Sequence, residues 1–339
     1  MTNWPTNCWY VAATSDEVAD SPVARRLLGE DVMLWRRADG RPVAFENRCA
    51  HRAFPLSHGT VNGDRLVCGY HGCTYDPDGI CVAVPAQSRV PAGMRLRTFP
   101  VVEMAPFVWA WLGPPRSAAG SMPPTLPWVA EPEWEVFTST WTVDANYLMV
   151  HEHYLDFSYA PIVHAGDIPD RIQAMPPAGA VEVTETTVSY ARDLPPAPLT
   201  DWEAEATGLP RNVRYRRREM GTFASPALHL QRWDVHAPSG SILSTSRIHG
   251  ITPAAATTTK VFMIGARNYR LGEPAVTDRL HRFLEGVAGR DNSVLEVASN
   301  HSGYDRWQAG VEFQADVPVM RARSIVATMI ANERGLPIR

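Results

Sequence analysis

Lysine is almost missing from this chain of 339 residues: Lys260 is the only one, and arginine supplies the rest of the positive charge. With a formal net charge of −4 and no polybasic stretch, nothing favours a nucleic-acid partner bound through a basic surface. Long apolar runs are absent too, and the first residues lack the basic start and apolar core of a secretion signal. These absences predict a cytoplasmic protein with no membrane partner. Cysteine is scarce and odd in number, five in all, which does not suit a disulfide framework. What remains is ample for two globular domains, at 45% hydrophobic and 20% charged residues.

From Trp9 to about Trp111, turn signals such as Ala38-Asp39-Gly40, Asn62-Gly63-Asp64 and Pro77-Asp78-Gly79 separate short apolar stretches. That pattern predicts a small all-β domain over residues 1–112. Residues 113–134, rich in Pro, Ser and Ala, read as a linker. Beyond it, 135–339 read as α+β, an antiparallel sheet flanked by helices. Helices are expected near Asp144–Tyr159, Glu273–Val287 and Val317–Asn332. Strands are expected near Ala180–Tyr190, Ala227–Val235, Ser241–Ile251 and Thr258–Ile264.

Four of the five cysteines fall between Cys49 and Cys81, beside His51, His58 and His71. Cys49-Ala50-His51, then sixteen residues, then Cys68-Gly69-Tyr70-His71 gives two loops with one thiolate and one imidazole each. Tetrahedral zinc is the blander reading, but zinc fingers usually take both cysteines from one loop and both histidines from elsewhere. An equal division matches a Rieske [2Fe-2S] centre, where two Cys hold one iron and two His the other. Cys73 and Cys81 read as small buried fillers, and His58 as a loop residue.

At these four positions the chain resembles the oxygenase (alpha) component of Rieske non-haem iron oxygenases, close to the vanillate and dicamba O-demethylase group. Phe54 and Tyr70 stand where high-potential Rieske proteins carry an extra disulfide, so the resemblance implies a low-potential centre. It also implies a mononuclear Fe(II) held by two His and one carboxylate, with O2 as co-substrate. The family pattern of an Asp, a His three residues on and a second His five further meets Asp156, Tyr159 and His164 here; Tyr159 replaces the first His. His151 and His153 offer substitutes, but residues two apart on a helix point away from each other, so at most one can serve. We expect His153, with His164, although eleven residues span about 16 Å of a straight helix. Pro161 is expected to break that helix, with Tyr159 near the iron. Asp291 occupies the position of the family's carboxylate ligand, and Glu296 is the alternative.

The resemblance further implies a separate reductase or ferredoxin as electron donor, consistent with the lack of any dinucleotide or flavin motif. It implies a homotrimer in which Asp156 bridges cluster and iron across subunits, and a small aromatic substrate that is hydroxylated or oxidatively demethylated. Arg232 and His249, on expected strands, are candidates for contacting a polar substrate group; a solvated strand face is the blander reading of both. An iron-sulfur electron carrier with a degenerate iron site is the competing function, and Tyr159 is the feature that favours it.

Overall fold

The structure is a computed structural model and describes residues 4–335 apart from 20 and 171. The chain divides into two compact units, Met1–Pro123 with Thr252–Ala255, and Pro124–Ile251 with Ala256–Arg339. The break after Pro123 lies inside the Pro-rich stretch. Thr252–Ala255 were read with the second domain, but their backbone belongs to the first unit. There Leu28 N donates to Pro253 O at 2.7 Å, Gly29 N to Ala254 O at 3.1 Å, and Thr252 Oγ1 to Val11 O at 2.7 Å.

The first unit is all β, as its turn spacing predicts. It holds a three-stranded sheet and two four-stranded sheets, and one of the latter carries the hairpin Thr60–Asn62 with Arg65–Val67. Trp35, Phe45, Leu56, Leu66 and Tyr75 pack around the buried sulfurs of Cys49, Cys68, Cys73 and Cys81. All five cysteines are free.

The second unit is built on a seven-stranded antiparallel sheet. The strands run in the spatial order Glu135–Val143, Thr258–Arg267, Ile242–Ala255, Leu228–His236, Tyr215–Ser225, Val188–Ala197, Ala180–Val183. Side chains alternate across each strand, so one face carries Gln231 and Trp233 of one strand opposite Arg247 and Thr245 of the next. Against the sheet lie the helices Tyr147–Asp156, Ala160–Val163, Asp201–Thr207, Pro274–Gln308 and Val317–Glu333.

Three expectations need correction. The stretch Ala180–Tyr190 is not one strand, because Thr184 Oγ1 accepts from the backbone N–H groups of Thr186 and Thr187 and turns the chain. The helix expected to end near Val287 continues to Gln308, with a non-helical Gly303 inside it. Nor does Pro161 break a helix: it lies in the first turn of Ala160–Val163, where its missing N–H costs nothing. The break falls earlier, at Phe157, whose left-handed φ of 52° ends the helix after Asp156.

Candidate functional site

In the first unit, the two Cys/His loops are built alike. Cys49 N donates to Phe54 O at 2.9 Å while Cys49 O accepts from Ala53 N at 2.9 Å; Cys68 N donates to Cys73 O at 2.9 Å while Cys68 O accepts from Gly72 N at 3.1 Å. Each loop turns on a left-handed residue, Ala53 at φ 54° and Gly72 at φ 69°. Gly69 lets the second loop close, since a Cβ there would collide with His58 O. Both cysteines are buried, whereas His51 and His71 are exposed with ring centroids 4.5 Å apart.

The sulfurs sit among donors. Cys49 Sγ receives the backbone N–H groups of His51 and Arg52, and Cys68 Sγ those of Tyr70 and His71. Tyr75 Oη lies 3.2 Å from Cys49 Sγ. Burial raises the Cys49 thiol, but the Tyr75 hydroxyl and the backbone donors outweigh burial and hold it below its usual value. Burial, the largest influence, holds the Cys68 thiol above its usual value despite its backbone donors. Two buried sulfurs and two adjacent imidazoles fit a [2Fe-2S] cluster by donor type and placement. Cys73 has no such donors: burial pushes its thiol up to about 11, and it packs as a core filler. Phe54 and Tyr70 pack with tilted rings, centroids 5.5 Å apart, and neither position can form a disulfide.

In the second unit, the turn at Phe157 and the short helix after it fold His164 back toward the first helix. His153 Nε2 lies 3.0 Å from Asp291 Oδ1, and His164 Nε2 lies 2.7 Å from the same oxygen. All three side chains are buried. Burial raises the Asp291 carboxyl, but the two imidazoles more than reverse this and leave it well below the carboxylate range.

Among the described residues, no three His, Cys, Asp or Glu side chains already enclose a position for an ion. In this trio the nitrogens close directly on the carboxylate. The fit to iron is one of donor type and convergence: two imidazoles and one carboxylate are the ligands of a non-haem Fe(II) site. The His153–Asp291 approach is also too poorly aligned to satisfy Nε2, which is left buried without a hydrogen bond. Arg290 Nε approaches His164 Nδ1 at 3.2 Å, and the same guanidinium is paired with Asp167. Metal on Nε2 would place the proton on Nδ1, turning Arg290 wholly toward Asp167.

Of the other candidates, only Tyr159 touches the trio. Tyr159 stacks on the His153 ring at 3.8 Å; burial first, then Asp291, hold its phenol well above its ordinary value, so it is neutral. His151, two residues from His153, bonds Pro226 O at 3.0 Å away from the trio. Glu296 Oε1 accepts from Asp144 N at 3.3 Å. Asp156 accepts from Ser158 N at 3.2 Å and Ser158 Oγ at 2.9 Å, and touches none of the trio.

Residues 143–332 match the vanillate O-demethylase oxygenase C-terminal domain, and residues 8–100 match the Rieske [2Fe-2S] domain. The chain is a Rieske oxygenase alpha subunit of the vanillate O-demethylase family. Its relatives include the iron-sulfur subunit of a toluene-4-sulfonate monooxygenase from Comamonas testosteroni, 29% identical over 97% of this chain and 98% of that protein. A vanillate O-demethylase oxygenase subunit of a Pseudomonas species is 28% identical over 98% and 96%. The fold is that of dicamba monooxygenase, with a TM-score of 0.88 at 23% identity over 97% and 98% of the two chains. This oxygenase is thus of the monooxygenase/demethylase type.

A cavity opens beside the trio of this oxygenase. His164 is in its wall, with apolar surface from Phe157, Trp202, Trp233 and Phe283 and polar groups from Glu219, Gln231, Thr245 and Arg247. Arg232 borders the same space, but its guanidinium is committed to Asp234 Oδ1 at 2.8 Å and Ser244 Oγ at 2.9 Å, residues of the opposite sheet face. His249 is buried and stacked on Tyr154 at 4.3 Å, its Nδ1 without a partner; burial, and then Arg247, hold it well below its usual value and neutral. Arg247, Gln231 and Glu219 were not singled out from the sequence. Strand alternation from His249 would have found Arg247, two residues away on the same face.

Proposed function

We propose that this oxygenase is the terminal component of a multi-component monooxygenase that hydroxylates or oxidatively demethylates a small aromatic compound. The observation that carries the reading is the convergence of His153, His164 and Asp291 beside an aromatic-walled cavity to which His164 contributes. The relatives named for toluene-4-sulfonate and vanillate support an aromatic substrate. Cys49, His51, Cys68 and His71 would hold the [2Fe-2S] cluster, and His153, His164 and Asp291 the Fe(II). The two groups would supply single electrons and O2 activation, respectively.

The chain's own residues do the rest. Phe157, Trp202, Trp233 and Phe283 stack a ring and exclude water. For a methyl ether the balance is ArOCH3 + O2 + 2e⁻ + 2H⁺ → ArOH + CH2O + H2O, because the hydroxylated methyl carbon is a hemiacetal that loses formaldehyde. The electrons come from a separate reductase or ferredoxin. In a homotrimer, Asp156 would join cluster and iron across the subunit interface by hydrogen-bonding a ligand imidazole on each side.

The test is metal analysis together with turnover. Purified protein should carry about three irons per chain, two in the cluster and one at the trio. With a surrogate reductase it should release formaldehyde from an aromatic methyl ether or N-methyl compound, or hydroxylate an arene carboxylate. Two irons and no turnover across that panel would instead make it an electron carrier.

A further inference from the structure

Among the guanidiniums close to the cavity, Arg247 stands apart. Arg192 is paired with Glu219 at 3.2 Å and donates to Asp156 O at 2.8 Å. Arg232 is committed to Asp234, and Arg290 to Asp167. Arg247 is half-buried in the cavity wall, and no hydrogen bond or ion pair joins its guanidinium to a described residue.

The Glu219 carboxylate feels the Arg247 charge but makes no direct contact with it. Glu219 is turned to Arg192 and to Tyr190 Oη, at 3.0 Å. Burial also holds the Glu219 carboxyl up to about 7, so at neutral pH it carries only part of a charge. Gln231, across from Arg247 in the strand register, donates Nε2 to Tyr154 O at 3.2 Å and leaves its buried Oε1 without a partner. The cavity is therefore an aromatic slot whose wall holds one cation with no direct hydrogen-bonding or ion-pair partner among the described residues and one unused acceptor.

We propose that Arg247 is the specificity residue of the cavity and binds the oxyanion of an aromatic acid, carboxylate or sulfonate. This rests on the reading of the cavity as the substrate site. A guanidinium is planar and always charged, and its paired N–H groups match two oxygens of a carboxylate or sulfonate. Walls of tryptophan and phenylalanine exclude water and strengthen that attraction. Because His164 lines the same cavity, an acid anchored at Arg247 is held at one end, which fixes the carbon presented to the trio.

The experiment is anaerobic titration calorimetry of the full-length protein with two matched pairs, 4-methoxybenzoate with 4-methoxybenzamide and 4-methylbenzenesulfonate with its sulfonamide. The wild type should bind at least one acid about 10- to 100-fold tighter than its amide, the range of a charged hydrogen-bonded pair. Whichever pair shows the larger ratio identifies carboxylate or sulfonate. Arg247→Gln should erase the ratio by weakening the acid far more than its amide, with an unchanged circular dichroism spectrum and Tm reporting that the fold is intact. Arg247→Lys should keep part of it. A ratio retained in Arg247→Gln, or no acid preference in the wild type, overturns the proposal. Leu284→Trp, which fills the cavity, should weaken all four ligands; if it does not, the cavity reading itself is wrong rather than the role of Arg247 within it.

Discussion

Replacing Glu203 with glutamine tests whether a buried ion pair holds the cavity wall in place. Glu203 and Arg217 are both buried, and Arg217 Nε and one terminal nitrogen each donate to a separate carboxylate oxygen at 2.6 Å. The same carboxylate accepts from Thr200 N at 2.9 Å, from Thr200 Oγ1 at 3.1 Å and from Trp233 Nε1 at 2.9 Å. One side chain therefore caps the helix Asp201–Thr207, neutralises an arginine and orients an indole that lines the cavity. Glutamine keeps the volume but removes the charge and turns an N–H2 toward groups that are themselves donors. Losing one partner of a buried pair costs about 3–5 kcal/mol. Arg217 keeps the carbonyls of Ala197, Pro198 and Tyr215 at 3.0, 2.8 and 3.2 Å, which places the expectation at the low end. At about 2–4 °C per kcal/mol, Tm should fall by about 6–12 °C. Thermal unfolding followed by far-ultraviolet circular dichroism reads this directly, and a fall of less than about 2 °C would refute the reasoning. The double variant Glu203→Leu/Arg217→Met should recover much of the loss, because it leaves no uncompensated buried charge.

Three further outcomes are expected. His153→Ala should lose the mononuclear iron and keep the cluster spectrum, while Tyr159→Phe keeps both; the reverse pattern by metal analysis would make Tyr159 the ligand. Asp156→Asn should retain both metals in a trimer yet nearly abolish turnover, and full activity, or a monomer that turns over, would end the bridging role. Glu219 gives a pH signature: burial raises its carboxyl from 4.5 to about 7, so its contribution to stability is complete below about pH 4.5 and is lost as pH rises through 7. Glu219→Gln should therefore flatten the stability profile by about 2–4 kcal/mol across that window, and parallel profiles in urea unfolding would contradict the assignment.

The first unit was legible because its signals are local. Turn residues and two cysteine–histidine loops are spelled out in consecutive positions, and hairpins obey them. In the second unit the reading missed the strand Tyr215–Ser225. Its inward positions include Arg217 and Glu219, so the alternation is real but is carried by buried charges rather than apolar residues. The helix expected to end near Val287 runs on through Gly286, Gly289 and the polar run Arg290-Asp291-Asn292-Ser293. Leu280, Leu284, Val287, Ala288, Asp291 and Leu295 form one buried face that carries the helix through it.

The pairing of His153 with His164 shows which part of a site sequence can reach. Helix geometry gave two constraints: His151 and His153 oppose each other, and eleven residues are too long for both imidazoles to meet on one straight helix. Those constraints required a break between His153 and His164 but did not say where. Pro161 is the conspicuous breaker, yet the chain turns at Phe157, a residue whose left-handed conformation has no signature in its side chain. The helix stops at Asp156, and the carbonyls of Tyr154 and Asp156 are taken by Gln231 and Arg192 instead of by a further turn. Those donors come from strands far away in sequence. The site is thus closed by the sheet as much as by the helix, which is why the residues that converge could be named from the chain and the bend that gathers them could not.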